Sequence, residues 1–217
     1  MKLVWSPETA SKAYIDTVKT CELFQESGEA ELMSAMAGGW NTKMIVEACA
    51  NNGAATATSV GLAIAARHTG GVHVCTVLDE QSRLKYINAM SAAGVAPPEV
   101  IVGRAEEVVF GLVDVDFLVV DGQRKDLCRL FRFAELSPRG AVLVCKNVNQ
   151  RTLAGFTWPG VLGSTRQVLR SVALPVGNGL DIAYVACNDE TIDSRKCASR
   201  WIRHIDQQSG EVYMIRR

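Results

Sequence analysis

The sequence predicts an α/β protein: a mostly parallel central sheet with helices on both faces and a C-terminal antiparallel hairpin. Three observations carry this. From Met44 to Asn147, short apolar runs alternate with helical stretches, the pattern of parallel strands joined by right-handed crossovers. Pro175-Val176-Gly177-Asn178-Gly179 then joins two further apolar runs, and a connection that short makes an antiparallel hairpin. Finally, 217 residues of which 48% are hydrophobic can bury one substantial core.

The elements follow in order. Ser6-Pro7-Glu8 is a helix start, with Ser as cap, Pro at the first helical position and Glu at the positive end of the dipole. That helix is expected to end near Cys21 or Leu23. A second, Glu29 to Ala37, carries Leu32, Met33 and Met36 on one face and is expected to stop at Gly38-Gly39. The stretch Lys43 to Ala66 organises the chain. Met44-Ile45-Val46 suits a strand buried on both faces, Ala50-Asn51-Asn52-Gly53 is turn chemistry, and Ala54 to Ala66 suits a helix pressed tightly onto a sheet. Strand, tight turn and helix aim free backbone N–H groups at a ligand beyond the strand ends, with Glu47 facing that crevice. The stretch therefore predicts the cradle of a nucleotide-like cofactor.

Val72 to Leu78 is a second strand, with Asp79-Glu80 at its carboxyl end. Gln81 to Ala93 is a helix with Leu84, Ile87 and Met90 inward. Pro97-Pro98 turns the chain into Val100-Ile101-Val102, which ends at Gly103-Arg104-Ala105-Glu106. Asp116 to Asp121 is a buried strand with a carboxylate at each end, and Lys125 to Leu136 a helix with Leu127, Leu130, Phe131 and Ala134 inward. Ala141 to Cys145 is a fifth strand, ending at Lys146-Asn147. Gln150 to Ser164, with its Trp158-Pro159-Gly160 turn, has no clear period and is expected to be a lid or substrate wall in which Trp158 packs. Val168 to Leu174 and Leu180 to Cys187 form the hairpin. A basic helix is expected over Ser194 to Ile205 and an edge strand over Val212 to Ile215. With no linker or repeat, the expectation is one domain: helices over 1–40, a core over 41–187 and an extension over 188–217.

Composition narrows the function classes. Lys+Arg and Asp+Glu both total 23, so nothing global attracts nucleic acid or an anionic membrane. No apolar run is long enough to span a bilayer, and MKLVWSPETASKAY lacks the apolar core of a secretory signal. The seven cysteines are scattered, and Cys75, Cys145 and Cys187 read as small core residues rather than disulfides or zinc ligands. Cys49 likewise reads as a buried filler. The three histidines have no metal-ligand spacing. A reducing, cytoplasmic setting is expected, with the nucleus left open, as is a homodimer.

Several motifs resemble, in order, the caffeoyl-CoA and catechol type of small O-methyltransferases, which have the Rossmann-like class I S-adenosylmethionine-dependent methyltransferase fold. They are Glu29-Ala30-Glu31-Leu32, Glu47-Ala48-Cys49 through Gly53, Ala92-Ala93-Gly94-Val95, Asp116 to Asp121, Gly140 to Asn147, and Leu174-Pro175-Val176-Gly177-Asn178-Gly179. The whole chain also resembles a plant-specific branch of that superfamily known as a domain of unknown function. The resemblance implies S-adenosyl-L-methionine as cofactor, held by Glu47, Ala48, Cys49, Gly53, Ala55, Asp79, Arg104, Ala105 and Asp121. Cys49 stands where the family has a glycine. The family's ribose-binding acid falls on Val77, with Asp79 the nearest substitute on the same side of an extended chain. Arg104 stands where many relatives have an acid near the adenine.

The family's divalent-cation site falls on Asp121, Lys146 and Asn147. An ammonium in place of a carboxylate repels a hard cation, so no divalent metal is expected there. The lysine that relatives use as base falls on Arg124, which does not deprotonate usefully. Asp121, Lys146 and Asn147 are the candidate catalytic residues, with Lys146 either replacing the cation or forming a structural salt bridge with Asp121. Two functions follow as expectations. One is a metal-independent methyltransferase acting on a small molecule. The other is a non-catalytic relative with degraded cofactor and metal sites that binds a ligand or partner protein.

Overall fold

The structure is a computed structural model and describes residues 4–21, 28–49, 57–148, 156–163, 166–186, 201–205 and 212–216. Helix α1 (Pro7–Cys21) starts where the Ser6 hydroxyl accepts a hydrogen bond from the Thr9 N–H at 3.4 Å. Helix α2 (Glu29–Gly39) does not stop before its glycines but runs through both. Those glycines serve close approach: a Cβ at Gly38 would meet the Ala13 methyl at 2.9 Å, and one at Gly39 would enter the Trp5 ring. Trp5 in turn packs edge-on against Trp40, which stacks on Tyr184 at 5.1 Å.

The alternating part of the chain gives β1 (Met44–Ala48), α3 (Ala57–Thr69), β2 (Val72–Val77), α4 (Glu80–Ala92), β3 (Glu99–Val102), α5 (Ala105–Phe110), β4 (Phe117–Asp121), α6 (Leu127–Phe133) and β5 (Ala141–Lys146). The chain continues through α7 (Trp158–Leu162), β6 (Val168–Leu174) and β7 (Leu180–Val185). These strands form one sheet in the order β3-β2-β1-β4-β5-β7-β6. The pairs among β1 to β5 are parallel, and β7 pairs antiparallel with both β5 and β6. The predicted sheet and hairpin are therefore present.

Strand alternation sorts the core onto two faces. Val46, Leu118, Val120 and Leu143 pack with Phe131 and Trp158 of α6 and α7. On the opposite face Ile45, Phe117, Val119 and Val144 pack with Met33, Ala37, Leu62 and Ala65 of α2 and α3. Further along that face Cys75 and Val77 meet Val60, Ile64, Tyr86 and Met90. At the amino ends of the strands the buried Asp116 carboxylate accepts from the N–H groups of Lys43 (2.8 Å) and Met44 (2.9 Å) and pairs with Arg139. It thereby fixes the entry into β1 beside β4. Burial pushes its pKa up, against the opposing pull of those donors.

Several expectations need correction. Helix α4 starts at Glu80, capped by Asp79, and buries Ser82, Tyr86 and Met90 at fourfold spacing, whereas Leu84 is 54% exposed. Residues Trp158–Leu162 form a short helix capped by Thr157 rather than a bare turn, because Pro159 suits the first helical turn. Helix α6 ends at Phe133, since the chain then extends to bridge Leu136 with Val115. The short α5 was not foreseen. Two compact units divide at Cys187 and Asn188. In the second, Trp201–Ile205 is a strand, β8, paired antiparallel with β9 (Val212–Arg216), and not the end of a basic helix. Trp and the two Ile in that run favour an extended chain once a partner strand exists. Residues 194–200 of the expected helix lie outside the described residues.

Candidate functional site

The carboxyl ends of β1, β2, β3, β4 and β5 converge on one edge of the sheet, where α/β folds bind ligands. A narrow cleft there, about 10 Å³, is lined by Cys49, Thr76, Val77, Leu78, Gly103, Ala105 and Arg124. Its wall is the side chain of Arg124. One guanidinium N–H donates to the Cys49 carbonyl at 2.7 Å, and two others clasp the Asp126 carboxylate at 2.8 and 2.6 Å. Beyond Arg124 lies a larger, open depression of about 370 Å³ lined by Arg104, Glu106, Arg124, Lys125, Asp126 and Arg129. Most of its charges are paired: Glu106 meets both Arg104 (3.4 Å) and Arg129 (2.9 Å).

Of the residues predicted to hold the cofactor, Cys49 and Ala105 line the cleft. Asp79 stands at the end of β2 as an exposed helix cap, accepting from the Ser82 N–H at 2.7 Å, which holds its carboxyl below the usual range. Arg104 precedes α5 with its side chain mostly in solvent. Ala48 is buried at the end of β1 on the α5–α6 face. Gly53 and Ala55, with the turn around them, lie outside the described residues.

Glu47 does not face the open crevice. Alternation along β1 puts it on the same side as Ile45, under α3 and α4, where it is 3% exposed. Ser59 Oγ donates to Oε1 at 2.9 Å and Tyr86 OH to Oε2 at 3.1 Å. His73 Nε2 stands 3.4 Å from Oε2, yet neither ring nitrogen makes a hydrogen bond. Burial alone would raise the Glu47 pKa; His73, Lys146 and Ser59 outweigh it and hold the carboxyl below its usual range. Beside it, the Cys49 and Cys75 sulfurs lie 3.0 Å apart. Their contact, burial and the negative Glu47 raise the Cys49 pKa well above the ordinary thiol value, and burial raises that of Tyr86 similarly.

The candidate catalytic set is only partly brought together. Asn147, which takes the left-handed φ of 61° that asparagine tolerates, donates from Nδ2 to Asp121 at 2.8 Å. The other Asp121 oxygen accepts from the Gln123 N–H at 2.8 Å. Lys146, however, forms no salt bridge with Asp121. Its ammonium lies 3.3 Å from Glu29 and 3.2 Å from Thr58 Oγ1, which itself donates to Glu29 at 2.9 Å. The start of α2 lies over this part of the sheet and supplies a closer anion. Burial would strip the Lys146 proton, but Glu29 and Glu47 raise its pKa, so it stays charged. Of the three residues at the family's cation site, Asp121 and Asn147 thus stand together and the Lys146 ammonium is paired elsewhere.

Sequence reasoning missed Glu29, Thr58, His73 and Tyr86 as neighbours of the site. Glu29 was legible as a helix start and as part of a resemblance motif, and nothing in the sequence singled out Tyr86.

Solved structures share this fold. A methyltransferase from Geobacter sulfurreducens is 18% identical, with a TM-score of 0.58 over 84% of this chain and 91% of its own. The O-methyltransferase TomG from Streptomyces achromogenes, involved in tomaymycin synthesis and solved in complex with SAM, is 24% identical with a TM-score of 0.55 over 85% and 92%. An O-methyltransferase from Bacillus cereus in complex with SAH is 17% identical, with a TM-score of 0.56 over 84% and 93%. No curated protein matches the chain. The architecture is thus the class I methyltransferase fold. The chain itself belongs to the family described as "Protein of unknown function (DUF1442)", whose model matches residues 1–217.

Proposed function

We propose that the protein is an S-adenosylmethionine-dependent methyltransferase that acts on a small molecule without a divalent cation at Asp121 and Asn147. The observation that carries this reading is the cleft at the carboxyl ends of β1, β2 and β3, floored by Cys49, Val77 and Ala105 in a class I methyltransferase sheet. The sulfonium methyl group is already activated when bound, so the protein has mainly to align an acceptor and accommodate a proton. In this reading Asp121 and Asn147, hydrogen-bonded to one another beside Gln123, orient an acceptor hydroxyl at the end of β4. Lys146, held protonated and paired with Glu29, is no general base.

A second reading rests on Arg124. At about 10 Å³ the cleft has room for roughly one water, far less than a nucleoside, and Arg124 closes it. A protein that never opens this cleft would be a non-catalytic relative that binds something else. Calorimetric titration with S-adenosylmethionine and S-adenosylhomocysteine separates the two. Saturable binding of both, followed by transfer of a labelled methyl group to members of a panel of small hydroxyl compounds, is the expected outcome. No binding of either at millimolar concentration would remove the enzyme reading.

A further inference from the structure

We propose that Cys49, Cys75 and Glu47, with His73 beside them, form a buried binding site for zinc or a similarly borderline-soft divalent cation. The proposal does not rest on methyl transfer. Adjacent parallel strands create the site: Glu47 is the register partner of Cys75, and Cys49 follows two residues further along the same face. The two sulfurs and a Glu47 oxygen all lie within 4.8 Å of one another and all three residues are buried. Two sulfur donors with a carboxylate and an imidazole are the ligand types that select zinc over hard cations.

A second, independent observation points to a ligand. His73 is 4% exposed, and neither of its ring nitrogens has a hydrogen-bond partner. A buried imidazole that makes no hydrogen bond and only approaches Glu47 calls for an explanation. Its Nε2 faces Glu47 Oε2 at 3.4 Å, so it is placed to orient the carboxylate that would bind the ion. Ser59 and Tyr86 already fix that carboxylate from the helix side. Cys49 also lines the strand-end cleft, so the site borders that edge of the sheet. Binding would displace the two thiol protons to solvent. It would also open the sulfurs from 3.0 Å to roughly 3.8 Å, the spacing set by two zinc–sulfur bonds of about 2.3 Å at a tetrahedral angle.

The test uses Co²⁺ as a spectroscopic probe on the full chain, purified under reductant and stripped of metal. The expected result is a thiolate-to-cobalt charge-transfer absorption that saturates at one ion per chain and is bleached by Zn²⁺. It should be lost in Cys49→Ser and Cys75→Ser and retained in Cys145→Ser, a buried thiol elsewhere in the sheet. A wild-type chain that shows no such absorption overturns the site whatever the variants do, as does a Cys75→Ser chain that keeps it. A Cys49–Cys75 disulfide found by peptide mass mapping of protein purified without reductant, together with no Co²⁺ binding after reduction, would also overturn it and assign the pair to oxidation.

Discussion

Arg124 is the residue on which access to the strand-end cleft turns. Its guanidinium is largely buried, and its fork joins the Cys49 carbonyl to the Asp126 carboxylate. Arginine suits this task because its planar donors bond two acceptors at once. A nucleoside entering the cleft must break at least the bond to Cys49, whose net worth is about 1 kcal/mol. Arg124→Ala should therefore bind S-adenosylmethionine more tightly, by roughly fivefold, since a tenfold change takes about 1.4 kcal/mol. Calorimetry on the variant checks this. Unchanged or weaker binding would show that Arg124 is a cofactor contact or a support rather than a barrier.

Among the elements, α3 shows how a packing rule can reverse an intrinsic preference. Gly61 lies inside that helix, where alanine is ordinarily better by about 1 kcal/mol. Here a Cβ would stand 2.5 Å from the Ala30 carbonyl oxygen of α2, and backbone cannot rotate away as a side chain can. Gly61→Ala should thus destabilise the protein by about 2 kcal/mol, as overpacked sites do, and lower the melting temperature by roughly 4–8 °C. A variant that melts at or above the wild-type temperature would refute the close approach. The same distinction marks what the sequence could and could not say about elements. Runs such as Phe117 to Val120 read as central strands because both faces of the sheet are covered. Gly38 and Gly39 read as a stop signal, yet they are contact glycines, because a sequence does not state which helix will lie against which. Leu84 failed for a related reason: the inward face of α4 is set by Tyr86 reaching Glu47, a partner on a different element.

At the scale of the whole molecule, the edge carrying the candidate site was legible while its internal partners were not. Strand-end acids such as Asp121 can be placed from an apolar run and its last residue. The pairing of Lys146 with Glu29 depends on α2 being folded over the sheet, which only the complete topology dictates. That pairing makes a pH prediction. The Lys146 pKa is raised above its ordinary value of 10.5 in the folded protein, with Glu29 and Glu47 overcoming burial. A raised folded-state pKa means that the native chain holds the proton that the unfolded chain releases. The resulting stability is fully present below pH 10.5 and is lost as pH rises through the native value. Urea midpoints for wild type and Lys146→Met should accordingly differ by a constant amount at neutral pH. Leaving Glu29 buried without its partner makes that difference about 3 kcal/mol. Above pH 10.5 the two curves should converge, with wild type falling more steeply. Adding Glu29→Gln to Lys146→Met should restore much of the neutral-pH loss, because no uncompensated charge then remains buried. Curves that stay parallel into strong alkali, or a double variant no more stable than the single one, would show that the ion pair does not hold α2 to the sheet.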